Sequence, residues 1–157
     1  MQIKLQLTNK VHEGFLRLVM NSNKSGEIKI SRTHDIGKYI CSRVRYSNLP
    51  VRQSSGITLI LPKTTLESGA NYFLYFSVED QKKINDFLDA EFNCFFKRFM
   101  LVGDQFDIKK ITLINTIITK MDLLNDDKIF QNLTKSDYRE RKKVMDFLLK
   151  TVQLAHV

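Results

Sequence analysis

The sequence predicts an α+β fold, with an N-terminal antiparallel β-sheet of about five or six short strands followed by a C-terminal helical part of three or four helices. Three observations lead there. Up to residue 76 apolar residues alternate with polar ones or form short runs of β-formers, from Ser77 onward they recur every three or four positions, and no low-complexity linker or internal repeat separates the halves. The length of 157 residues suits one compact domain. Residues 1–157 are therefore expected to form a single α+β domain, mainly β over 1–76 and helical over 77–157.

The strands follow from period and composition. "QIKLQL" sets Ile3, Leu5 and Leu7 on one side, the pattern of a half-buried strand. "GFLRLVM" continues the sheet, and "NSNKSG" at 21–26 has the residues to turn the chain into "EIKIS", where Ile28 and Ile30 share a face; these are expected to be hairpins. In "YICSRVRYSNLPV" alternation puts Arg43 and Arg45 on the wet side of a strand ending at Pro50, although a short helix from Asp35 also fits. "ITLIL" at 57–61 and "YFLYF" at 72–76 are expected as central strands.

The helices follow from capping and spacing. "SVED" at 77–80 is a capping box, and Ile84, Phe87, Leu88, Phe92, Phe95, Phe96 and Phe99 form a seam that ends at Gly103, a residue suited to a left-handed cap. Asp107 is expected to cap a second helix with the seam Ile111, Ile114, Ile118 and Met121. Asn125 would cap a short helix over 126–132, and Thr134 with Asp137 forms another capping box before a last helix over 135–152. These final helices look like the helix-turn-helix class, which would make 126–132 the supporting helix and 135–152 the recognition helix. The small residue and glycine usual around that turn are missing.

Composition and charge point toward binding. With 43% hydrophobic and 27% charged residues the chain reads as globular, and its net charge of +8 suits an anionic partner. Residues 24–53 carry a net +5, against −1 for 54–103. Cys41 and Cys94 lie far apart, no secretory signal opens the chain, and no apolar run approaches the ~20 residues needed to span a bilayer. A reduced, cytoplasmic setting without a membrane is expected, virion association being compatible with it. Cys94, among phenylalanines, is expected to be inert.

Two cationic sets are candidate nucleic-acid contacts. On a helical wheel Lys135, Arg139, Lys142 and Lys143 fall at roughly 0°, 40°, 340° and 80°, opposite an apolar side of Tyr138, Val144, Met145, Leu148, Leu149 and Val152. Such segregation lets one face pack while the other meets phosphates, and it also describes any solvated amphipathic helix. Asp137, Glu140 and Asp146 would repel phosphates. The second set, Arg32, Lys38, Arg43, Arg45 and Arg52, is interleaved with Tyr39 and Tyr46, as a single-strand platform requires; it equally suits a sheet surface kept soluble.

Catalytic signals are weak. There is no glycine-rich phosphate loop, no paired Cys or Cys/His metal spacing and no helical histidine pair. His12, His34 and His156 are scattered, and His34 beside Asp35 is expected to be a turn or surface residue. "EIK" at 27–29 matches a Glu-x-Lys nuclease element, but that tripeptide is common and Glu13 is a poor second ligand. The expectation is a small, non-enzymatic nucleic-acid-binding protein without cofactor or metal, with DNA favoured over RNA. The alternative is a protein-interaction module, such as a phage or mobile-element structural component or an inhibitor of a host protein, whose basic surface meets an acidic protein. Monomer and homodimer are both open.

Overall fold

A computed structural model describes residues 1–22, 26–52, 55–63, 72–124 and 126–155. The chain is α+β, and it divides into two compact units, Met1–Cys94 and Phe95–Val157. Among the described residues it has five short strands and five helices in the order β1 (Gln2–Leu5), α1 (Lys10–Val19), β2 (Ile28–Lys29), α2 (Asp35–Ser42), β3 (Arg45–Ser47), β4 (Ile57–Ile60), β5 (Phe73–Tyr75), α3 (Val78–Gln105), α4 (Lys110–Lys120) and α5 (Asp127–Ala155). Strands and helices are interleaved at the start of the chain, so the expected order of sheet first and helices second holds only from β3 onward.

In the first unit β4 is the central strand of a three-stranded sheet, antiparallel to β1 and parallel to β2. The register places Ile3 and Ile28 on either side of Leu59, and all three are buried. That row and Leu5 of β1 are the sheet's contribution to the core, and a slip of one residue would turn them to solvent. β3 and β5 form a separate antiparallel pair. "YFLYF" is thus not a central strand, and "EIKIS" supplies a parallel strand instead of half a hairpin.

Two expected strands are helices. Residues 10–19 coil because the Asn9 side chain accepts a hydrogen bond from the Val11 N–H at 2.9 Å, and Val11, Phe15 and Leu16 then share a buried face. At α2 His34 is the cap, its Nδ1 accepting from the Ile36 N–H at 3.2 Å, so the helix from Asp35 forms in place of the strand. Gly37 is required there: a Cβ would lie 1.9 Å from the Ser31 carbonyl oxygen.

The capping box of α3 is formed. Ser77 Oγ accepts from the Asp80 N–H at 3.1 Å and donates to the Asp80 carboxylate. Ile84, Leu88 and Phe92 bury the helix in the first unit, where Phe15 meets Phe92 edge-on at 5.5 Å between centroids, while Cys94 is exposed.

In the second unit Phe96 and Met100 of α3 are buried, as are Leu113, Ile114, Ile117 and Ile118 of α4 and Ile129 and Leu133 of α5. Gly103 does not end α3 in a left-handed conformation; it lies within the helix, where a Cβ would come 2.3 Å from Leu113 Cδ1. Asp107 takes φ 55° in the connection instead of capping α4, and Ile111 is 65% exposed, so Leu113 and Ile117 replace it in the seam. Asn125 lies outside the described residues; Asp126 Oδ1 accepts from the Lys128 N–H at 3.2 Å. From Asp127 the helix then runs unbroken for 29 residues. The expected turn at 133–135 is absent because the Thr134 hydroxyl donates to the Phe130 carbonyl inside the helix, at 2.9 Å, and caps nothing.

Candidate nucleic-acid interface

One continuous helix carries the first cationic set. Lys135, Arg139, Lys142 and Lys143 are all exposed on α5. Among the described residues Lys135, Arg139 and Lys142 form no salt bridge, whereas Lys143 reaches Glu140 at 3.4 Å.

Two of the acids expected to oppose phosphate binding are engaged by cations. Asp137 lies 2.8 Å from Arg141 and 3.7 Å from Lys110, and Glu140 lies 3.1 Å from Lys97. The Lys97 contact holds the Glu140 carboxyl below its ordinary range. Arg141 also pairs with Asp104, and the hydrogen bonds it donates to Asp104 and then Asp137 push its pKa above the usual guanidinium value. Asp146 remains exposed near the cationic residues.

The second set does not share one surface. Arg43 caps α2, its guanidinium over the Tyr39 ring at 4.9 Å and its Nε buried, while Tyr39 stacks on Phe87 at 4.1 Å. Arg45 on β3 pairs with Asp80, a carboxylate only 5% exposed. That hydrogen bond holds the Asp80 carboxyl below the usual range although burial pushes the other way. The strand alternation expected for Arg43 and Arg45 is lost because residues 35–42 coil. Lys38 pairs with Asp35 at 2.9 Å, Arg32 is exposed, and Arg52 borders a cleft of about 560 Å³ with Lys4, Tyr75 and Gln81.

The first unit also contains a polar cleft of about 490 Å³ lined by Thr8, Asn9, His12, Asn85, Asp86 and Asp89. His12 is buried, at 5% exposed. Its Nδ1 lies 3.3 Å from Asn85 Oδ1 and its Nε2 3.4 Å from Asp89. Asn85 Oδ1 accepts from the Thr8 N–H, and its amide donates to the Gln6 and Gln81 carbonyls, so the network ties the segment after β1 to α3. Among the described residues no three His, Cys, Asp or Glu side chains are grouped to hold a metal ion, and no helix is long and apolar enough to cross a membrane.

The largest departure lies on the other side of α5. Tyr138, Val144, Met145, Leu148 and Leu149, all expected in the core, are half or more exposed. Beside them an apolar groove of about 420 Å³ runs between α5 and the α3 residues Phe96, Met100 and Leu101. The period marked these residues as apolar and gave no sign that they lack cover. Compared with known proteins, the chain matches no family model, no curated protein and no solved structure.

Proposed function

We propose that this chain is a small non-enzymatic nucleic-acid-binding protein, with DNA favoured over RNA, and that the cationic face of α5 is its contact surface. One observation carries the reading: Lys135, Arg139 and Lys142 are exposed together without ion pairs among the described residues, while Asp137 and Glu140 are bound by Arg141, Lys110 and Lys97. Two of the helix's four carboxylates are thereby neutralised beside the free positive charge, and neutralising phosphates with that charge releases counterions. Arg32 and Arg52 are accessory contacts. Arg43 and Arg45 already hold intramolecular partners and contribute less.

Gel shifts of single- and double-stranded DNA and of RNA across salt concentrations test this. Retention that weakens steeply with salt, strongest for DNA, is expected; no retention at low salt would sink the reading. A second reading, a protein-interaction module, is favoured by the exposed apolar side of α5, since contiguous apolar surface marks docking sites.

A further inference from the structure

We infer that a second copy of this chain covers the exposed apolar surface of the second unit, so that the protein pairs through α3 and α5. Val144 and Leu148 form an apolar stripe on the C-terminal half of α5. Leu133 on α5 is buried, and Val144 and Leu148 follow it at helical spacing, yet both are at least 50% exposed. Met145 and Leu149 widen that stripe, and Leu101 and Val102 extend it onto α3. Six half-exposed side chains of this size offer on the order of 600 Å², and Tyr138 with Phe147 at the flanks raise this toward the ~800 Å² that one partner gives to a standard interface.

Shape and charge favour a second copy over other occupants. The same few turns present both a groove, walled by Met100, Val144 and Met145, and a ridge, formed by Leu148 and Leu149. Under two-fold symmetry each ridge enters the other copy's groove, the self-complementarity an isologous pair requires. The groove's charges are matched within one chain, Lys97 with Glu140, Arg141 with Asp104 and Lys110 with Asp137, so closing it brings no net like charge together. A groove without net charge gives no electrostatic attraction to an anionic membrane or an acidic partner. Lys135, Arg139 and Lys142 lie across the helix from Val144 and Leu148.

Sedimentation of the nuclease-treated full chain between about 1 and 100 µM, without nucleic acid, tests the pairing, so its failure leaves the reading of the cationic face untouched. A mass rising toward twice the monomer is expected. Met145→Glu with Leu148→Glu should weaken association at least tenfold while leaving the circular dichroism unchanged, because both residues are exposed in the single chain. A wild-type monomer at 100 µM, or a folded double variant that still pairs as tightly, would overturn the proposal. So would a monomer that cosediments with anionic vesicles through these residues.

Discussion

α3 and α5 are nearly equal in length, 28 and 29 residues, and both carry apolar side chains at steps of three and four, yet they serve different ends. Ile84, Leu88, Phe92, Phe96 and Met100 of α3 are buried along its length. On α5 the buried stripe of the described residues stops at Leu133, and Val144, Met145, Phe147, Leu148 and Leu149 face solvent. Period fixes which side of a helix is apolar; the number of neighbouring elements decides whether that side is covered. α3 meets Phe15 of α1 and Tyr39 of α2, whereas among the described residues Val144, Leu148 and Leu149 of α5 have no such cover.

The sharpest way to break this contrast is a matched pair of leucine truncations in dilute protein. Leu88→Ala should cost about 2–5 kcal/mol, because it empties a fully buried site, and Leu148→Ala should stay within about 0.5 kcal/mol. Equal losses in chemical denaturation would mean that α5 is covered in the single chain.

Next in size is Gly37→Ala. A methyl pressed against the Ser31 carbonyl forces α2 off the segment after β2, and a loss of about 1–3 kcal/mol in chemical denaturation is expected.

Arg141→Ala should cost about 1 kcal/mol, a modest figure because the side chain is one-third exposed. Its signature is in acid. Asp104 has its pKa lowered by Arg141, so its contribution is complete above the unfolded-state pKa and lost as pH falls through the lower folded value. The variant should therefore lose part of the wild type's acid dependence of stability. Arg45→Ala should do the same through Asp80, and an unchanged acid limb in either would deny the pairing.

The sequence made α3 legible because two independent signals, the Ser77 and Asp80 box and the apolar seam, agree. It hid α1 because "GFLRLVM" is rich in residues that suit strands, and the deciding signal was the Asn9 side chain just upstream. Thr134 misled for the opposite reason: a capping pattern inside a run of good helix formers yields to the longer helix, since the Thr hydroxyl can bond back to Phe130. At the candidate site the grouping of Lys135, Arg139, Lys142 and Lys143 was readable from spacing. The engagement of Asp137 and Glu140 was not, because Lys97 and Lys110 reach them from other helices.

The central claim is that the free cations of α5 hold phosphates, and the salt dependence of duplex binding tests it most directly. Each phosphate contact contributes about 0.9 to the slope of log affinity against log salt. Replacing Lys135, Arg139 and Lys142 together by Ala should flatten that slope by roughly two to three units with the fold intact, whereas Lys143→Ala, which removes a cation already near Glu140, should change it by less than about 0.9. A folded triple variant with wild-type affinity and slope would contradict the account and return these residues to ordinary solvation of a helix surface.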